Sequence, residues 1–331
     1  MKISEVIGID VSKLVVDIRI HSNQMYCQLD NTNKSFKNIV KWCFKNSSHP
    51  NDETIFVFEH TGLYSHNLAV YLSEQKIPFQ MVPGLEIKRS LGITRGKDDK
   101  VDATKIARYG YRLREEIQPY IMPCQEIDSL KSLLSLRERL VKHRSGFKVS
   151  YKEQKRVLVQ KENKRLFEVQ QRMIKYLDKQ VNALEKEMDS IIKSHERLKR
   201  QYDLITGIIS IGPQTALHII AFTAGFTKFK NSRKFASYCG IAPFSNTSGT
   251  SLNGHPKVSH LANKKIKSLL DQCAKSAILH NKEMKLYYEK RLDEGKQKMS
   301  TINIVRNKLL SRMFAVVTRN TPYVNIMKYV A

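Results

Sequence analysis

The sequence predicts an N-terminal α/β domain followed by two largely helical regions, and three observations carry that division. Residues 1 to about 85 alternate short apolar runs with helically spaced segments. Residues 125–200 contain one glycine, Gly146, and no proline. From Leu204 onward small residues, glycine and serine return, as in GIISIGPQTA and KFASYCGIAPFSNTSGTSLNGHPKVSH.

The elements follow in order. Val6-Ile7-Gly8-Ile9 is a short apolar strand that ends at Asp10. Residues 14–20 have the period of two of a strand, with Val16, Ile18 and Ile20 on one face and Asp17 and Arg19 on the other. Residues 25–29 supply a third strand after a turn-like segment. Residues 34–45 place Phe36, Ile39, Val40 and Phe44 on one side of a helix, with Trp42 in the core. Residues 54–58 are a buried strand (IFVF) ending at Glu59, residues 62–74 a helix and residues 79–82 a strand. Three antiparallel-looking strands, a helix, then strand–helix–strand is the order of a ribonuclease-H-like fold.

Beyond this domain, Phe167, Ile174, Leu177, Val181, Leu184, Met188, Ile191 and Leu198 keep mostly three- and four-residue steps, a heptad seam. Ile127, Leu130, Leu133, Leu134, Leu140 and Val141 supply a second stripe upstream. Two long helices fit, serving either as a coiled-coil dimerisation arm or spacer or as an intramolecular hairpin. The last region reads as mostly helical, with helices near 262–281 and 302–318 around a Gly/Ser-rich loop.

Charge narrows the function. Lys and Arg number 57 against 31 acidic residues, a formal charge of +26. Pairing every acid would still leave the excess unmatched, so the chain calls for a polyanion. The basic residues run along the whole chain rather than along one amphipathic helix, which favours an extended nucleic-acid contact over a membrane surface. A protein with merely basic surfaces is the plain alternative. Cys27, Cys43, Cys124, Cys239 and Cys273 are odd in number and form no CxxC pair, so neither a disulfide framework nor a structural zinc site is indicated. Reduced thiols, the lack of a signal-peptide core and the lack of a membrane-length apolar run lead to the expectation of a cytoplasmic, nucleoid-associated protein.

Candidate chemistry sits in carboxylates. Asp10 and Glu59 each end a strand, and such ends converge in an α/β sheet. In KDDKVDATKIARYGYRL, Asp99 and Asp102 are three residues apart at the start of a helix and face the same way, with Asp98 turned aside. Four converging carboxylates repel one another unless cations lie among them, and Mg2+ takes hard oxygen ligands. Such ions support phosphodiester chemistry by activating a nucleophile and stabilising the leaving oxygen. Taken singly, an Asp after a strand is commonly a turn residue, and Asp-x-x-Asp in a first helical turn compensates the helix dipole.

These residues resemble a known family. GIDVSK around Asp10, FEHTGLY around Glu59 and GKDDKVDATKIA around Asp99 and Asp102 are similar to the RuvC-like DEDD domain of the insertion-sequence-110 family of transposases, relatives of the pilin-gene inversion recombinases. IGPQTA, FKNSRKFASYCGIAP, SGTS, the loop at Ser259 and Asn307-Lys308-Leu309 resemble the same family's C-terminal transposase domain. The chain departs from the family at Ile209-Ser210-Ile211-Gly212, where a Pro-Gly-Ile-Gly turn is usual. It departs again at Ser259-His260-Leu261-Ala262-Asn263, where Ser-Lys-x-Gly-Asn is usual.

The resemblance implies a RuvC-like catalytic domain over residues 1–122, a helical coiled-coil arm over 123–202 and a serine-bearing, mostly helical transposase domain over 203–331. It implies that Asp10, Glu59, Asp99 and Asp102 bind Mg2+ or Mn2+, and that Ser248, followed by Gly249, attacks the DNA phosphate and holds it covalently. Ser245 and Ser251 lie in the same stretch, where Ser and Thr otherwise serve turn hydrogen bonds. His255 and His260 are unassigned. The implied partners are element and target DNA, a noncoding guide RNA encoded by the element, and further copies of the chain as a dimer or tetramer. Arg89, Arg95, Lys97, Lys264, Lys265 and Lys267 are candidate phosphate contacts. The competing readings are a RuvC-like nuclease or junction resolvase that uses water, and a non-catalytic nucleic-acid-binding protein.

Overall fold

The computed structural model describes residues 2–90, 99–248 and 252–325. The chain divides into two compact units, with the boundary between Met122 and Pro123.

In the first unit, β1 (Glu5–Val11), β2 (Val15–Ile20), β3 (Tyr26–Asp30), β4 (Thr54–Glu59) and β5 (Phe79–Val82) form one mixed sheet in the order β3-β2-β1-β4-β5. The β1–β2 and β2–β3 pairs are antiparallel and need only tight connections, whereas β1–β4 and β4–β5 are parallel. Parallel pairs require crossovers, and α1 (Asn33–Asn46) and α2 (Leu63–Glu74) provide them. Then come α3 (Gly84–Ser90) and α4 (Asp99–Arg112). This mixed α/β arrangement is compatible with a ribonuclease-H-like domain.

Strand alternation sorts the side chains into two layers. Ile7, Ile9, Val16, Ile18, Phe56 and Phe58 share a core with Phe36 and Ile39 of α1 and Leu68 and Leu72 of α2. Val6, Ile55, Val57 and Val82 share another with Ile87 of α3 and with Ile106 and Tyr109 of α4. Covering both faces explains the unbroken apolar run IFVF in β4. Each such side chain contributes about 1.5–3 kcal/mol on burial. Trp42 is half-buried at the rim of the first core.

α4 lies unusually close to β1. A Cβ added at Gly8 would stand 2.3 Å from the Ala107 nitrogen and 2.6 Å from the Ala103 oxygen, and one at Gly110 would stand 2.7 Å from Val6 Cγ1. The obstruction at Gly8 is backbone, which cannot step aside as a flexible side chain can. Gly8→Ala is therefore expected to destabilise this unit by about 1–3 kcal/mol, measurable as a lower denaturation midpoint in urea.

The second unit opens with α5 (Gln125–Val157) and α6 (Lys164–Ser194), two long helices packed side by side. Arg137 bonds Glu185 at 2.8 Å, Arg144 bonds Asp178 at 2.7 Å and Gln154 accepts from Gln170 at 2.6 Å. The partners descend in number as the first helix ascends, so the hairpin is antiparallel. At its root, Ile127, Leu130 and Leu134 of α5 and Met188 and Ile192 of α6 enter the same core as the helices that follow. Those are α7 (Glu196–Thr206), α8 (Pro213–Phe222), α9 (Ser232–Tyr238), α10 (Lys264–His280), α11 (Lys282–Asp293) and α12 (Lys298–Arg319).

Two features differ from the sequence expectation. The Gly/Ser-rich stretch is not wholly loop, because β6 (Pro243–Ser248) and β7 (Leu252–Val258) pair as antiparallel strands. An irregularity in register between Phe244 and Asn246 and the close approach of Gly254 to the Asn246 backbone accommodate its small residues. The other difference is α11, a separate helix whose start is capped by the Asn281 side chain accepting from the Met284 nitrogen. Among the described residues no helix is long and apolar enough to cross a membrane.

The buried His218 of α8 uses Nδ1 on the Gln214 carbonyl at 2.8 Å. Burial, the largest influence, lowers its pKa below the usual histidine value, and nearby Lys265 and Arg137 act in the same direction. The fold thus holds the neutral ring. As pH falls through the unfolded value of about 6.5, the unfolded chain takes up the proton first, and stability declines. Chemical denaturation should show this loss below that pH, at most about 1.4 kcal/mol per pH unit, and the slope should shrink in His218→Gln.

Candidate active site

The acidic residues are placed by the strands and by α4. The parallel register of β1 and β4 pairs Ile9 with Phe58, so Asp10 and Glu59 follow at the C-terminal ends of neighbouring strands. Their faces follow from alternation. Gly8 is pressed against α4, and Asp10, two residues on, shares its face. Val57 lies against Gly110 of α4, and Glu59, two residues on, shares that face as well.

The direction of α4 sets the third position. Gly110 lies over Val6, while Ala103 and Ala107 lie over Gly8, so α4 runs antiparallel to β1. Moving from Gly8 to Asp10 advances roughly 6.6 Å along the strand. The same distance covers about four residues back along the helix, which brings its first turn level with Asp10. Asp102 belongs to that part of the helix. Its Oδ1 accepts from Lys105 Nζ at 2.7 Å, and about a third of its side chain is exposed. Asp99 begins α4, but its side chain lies outside the described residues, as do Asp98, Arg95 and Lys97. Asp10, Glu59 and Asp102 are thus brought to one end and one face of the sheet.

Glu59 has a defined seat. A Cβ at Gly84, the first residue of α3, would fall 2.0 Å from Glu59 Oε1 and 2.4 Å from its Cδ. Only a glycine leaves the carboxylate where it is.

One residue that sequence reasoning left on a polar outer face is buried. Asp17 of β2 is the antiparallel partner of Asp10 and is 1% exposed. Its Oδ1 accepts from the Tyr26 hydroxyl at 2.5 Å and from Gln28 Nε2 at 2.9 Å. The signal was present in the sequence: Gly8, in the neighbouring strand, marks a close backbone approach, and the helix that makes it covers the polar face.

Ser248 belongs to the second unit. Its backbone ends β6, opposite Leu252, while its side chain and residues 249–251 lie outside the described residues. Ser245 is exposed at the irregularity of β6, and His255 and His260 are exposed. The base of this strand is held firmly. Nδ2 of Asn303 and Nδ2 of Asn307 both donate to the Ile241 carbonyl, at 2.8 and 3.0 Å. Gly240, at φ +66°, packs so close to Ala262 that a Cβ there would stand 2.3 Å from the alanine methyl. The buried Arg306 bonds Asp271 across the same region. The family-like residues GIAP, Asn263 and Asn307 therefore form one scaffold beneath the strand that bears Ser248. Arg89 and Lys264 are exposed, whereas Lys265 pairs with Glu138 at 3.1 Å.

Among the described residues, the one group of three metal-ligating side chains with ligand atoms within 4.8 Å of one another is Cys124, Glu126 and His195 at the hairpin root. Two of its members bond each other, while His195 Nδ1 is buried without a hydrogen-bond partner. Glu126 sits in the first turn of α5, its carboxyl held below the usual range by its own backbone N–H and then by the Cys124 thiol.

Similarity to known proteins spans both units, and the first match crosses from one into the other. The DEDD transposase model of the insertion-sequence-110 type matches residues 7–158, and the Transposase IS116/IS110/IS902 family model matches residues 202–289. The chain is 26% identical over 335 residues to a pilin gene-inverting protein of Moraxella bovis, covering 96% of this chain and 97% of the relative. A pilin gene-inverting protein of Moraxella lacunata matches to the same extent. A 43.6 kDa protein of insertion element IS110 from Streptomyces coelicolor is 24% identical over 144 residues, covering 44% of this chain and 34% of that protein. With the two halves of the family pattern present in order along the chain, it belongs to the insertion-sequence-110 family of transposases, enzymes that act on DNA.

Proposed function

We propose that this transposase cuts and rejoins DNA of a mobile element through a divalent-cation site at Asp10, Glu59, Asp99 and Asp102 and a covalent bond to Ser248. The reading is supported by Asp10, Glu59 and Asp102 belonging to one end and one face of the sheet. The donors fit Mg2+ or Mn2+, since all are hard carboxylate oxygens and Lys105 is the cation bonded to Asp102 among the described residues. When bound, such an ion lowers the pKa of an attacking hydroxyl and neutralises charge on the phosphate.

The protein's own residues do the rest. Ser248 Oγ bonds to phosphorus while the bond from phosphorus to a deoxyribose oxygen breaks. Oγ loses its proton and the departing oxygen gains one. The number of phosphodiester bonds is conserved, so the reverse attack by a new strand reseals the DNA without an energy-rich cofactor. The scaffold of Asn303, Asn307 and Gly240 keeps the serine strand in place, and the excess of basic residues neutralises DNA and an element-encoded guide RNA. The α5–α6 hairpin serves as a coiled-coil arm between copies of the chain. Val149, Val169, Met173 and Tyr176 are exposed along it, an apolar stripe suited to a second copy.

The relatives are named for inverting pilin genes, so inversion is one outcome of the same chemistry. A plasmid reporter carrying the element's ends and flanking sequence tests the function. Rearranged junctions are expected with the intact protein and none with Asp10→Asn. Nicked plasmid without new junctions would instead favour a nuclease or resolvase that uses water.

A further inference from the structure

We propose that Cys124, Glu126 and His195 form a zinc-binding site that fastens the root of the α5–α6 hairpin. The inference is independent of the acidic site in the first unit, since all three residues belong to the second.

The hairpin brings the three together. Arg137 of α5 bonds Glu185 of α6, and the two helices run antiparallel. Ten residues back from Arg137 and ten on from Glu185, Ile127 comes level with His195. Cys124 immediately precedes α5 and Glu126 lies in its first turn, whereas His195 joins α6 to α7. Ile127 and Leu130 on one side and Ile192 and Leu198 on the other are buried in a common core. The backbone that bears the three side chains is therefore held by packing before any ion arrives. One ligand atom from each lies within 4.8 Å of the other two. Around tetrahedral Zn2+, bonds of about 2.0–2.3 Å place ligand atoms roughly 3.3–3.6 Å apart, a spacing that modest side-chain rotations reach. Sequence spacing gave no sign of the site, because the whole hairpin separates the cysteine from the histidine.

Contacts within the cluster account for two of its members and not for the third. The Cys124 thiol bonds the Glu126 carboxylate. His195 Nδ1 is buried without a hydrogen-bond partner. A neutral imidazole has one donor and one acceptor nitrogen, so a buried nitrogen without a partner is costly in either tautomer. A metal bond at Nδ1 satisfies it. The donor chemistry selects the ion, since one sulfur, one nitrogen and one oxygen suit Zn2+ whereas Mg2+ takes oxygen ligands. Cys124 is exposed, so an ion enters without opening the core, and water takes the fourth tetrahedral position. On binding, the thiol gives its proton to solvent and the thiolate bonds the metal. The first turn of α5 is then tied to the junction of α6 and α7, where the arm leaves the core.

The test is titration of Zn2+ into the full-length, reduced, metal-free protein in excess Mg2+, followed by calorimetry and by melting. The wild type is expected to melt higher with Zn2+. Cys124→Ser and His195→Asn are each expected to weaken Zn2+ binding at least about tenfold and to lose that rise. Asparagine is a favoured residue before a helix, so α7 keeps its start. Co2+ in place of Zn2+ is expected to give thiolate-to-cobalt absorption in the wild type and none in Cys124→Ser. Wild-type Zn2+ affinity in Cys124→Ser would overturn the site, as would Co2+ binding without thiolate absorption. Should His195→Asn fail to fold, Glu126→Gln, which keeps the shape and removes the charge, carries the same comparison.

Discussion

Asp10→Asn is expected to lower DNA strand cleavage by about a thousandfold while leaving the fold intact. The substitution is isosteric and sits at the penultimate residue of β1, where the packing face is borne by Ile9 and Val11. The change removes a negative charge at the end of the sheet that also carries Glu59 and Asp102, opposite the buried Asp17. The metal-free protein should therefore melt no lower than wild type. Activity should fall steeply, because a cation at a phosphoryl centre supplies several kcal/mol of transition-state stabilisation, and about 4 kcal/mol corresponds to roughly a thousandfold in rate. Rates from single-turnover cleavage, compared with melting curves of the same preparations, separate the two effects. A parallel loss of stability and activity would make Asp10 a structural residue.

Gly84→Ala is expected to act on the same site from outside it. The three atoms nearest the added methyl would all belong to the Glu59 carboxylate, a flexible side-chain end, so Glu59 swings aside and the fold survives. A misplacement of about 1 Å at a reacting centre costs on the order of a hundredfold. The variant should thus combine a near-normal melting temperature with a drop in cleavage of about that size. The contrast with Gly8→Ala is instructive. There the obstacle is the α4 backbone, and the penalty falls on stability. Normal activity in Gly84→Ala would mean that the position of the Glu59 carboxylate is unimportant.

Much of the first unit was legible because its signals are local. IFVF, the alternation of residues 14–20 and the helical spacing of Phe36 and Ile39 each describe a surface that one neighbour covers, and the observed β4, β2 and α1 follow. Asp10 and Glu59 were legible as strand ends. Asp17 was not, since alternation tells which residues share a face and not whether that face meets water. Here α4, far along the chain, covers it. The β6–β7 pair escaped for a related reason. Glycine and serine weaken the strand signal, and the pairing tolerates them through an irregularity in register and the approach of Gly254 to Asn246. In α11 the capping Asn281 was readable, but the helix lacks a strong apolar stripe, with Met284 its one buried residue.

The role proposed for Ser248 comes from family resemblance, since a serine at the end of a short strand carries no chemical signature of its own. What the structure adds is the scaffold beneath it, in which Asn303 and Asn307 share one carbonyl.

The central claim, that the acidic site and the serine serve one reaction, is tested most directly by covalent trapping. Purified protein is mixed with RNA transcribed from the element's flanks and with labelled junction and target DNA in Mg2+, then denatured and resolved on a gel. The account predicts a protein–DNA adduct that is lost in Ser248→Ala, in Asp102→Ala and in the presence of a chelator. Free nicked DNA without an adduct, produced equally by Ser248→Ala, would contradict it and leave a metal-dependent nuclease that uses water.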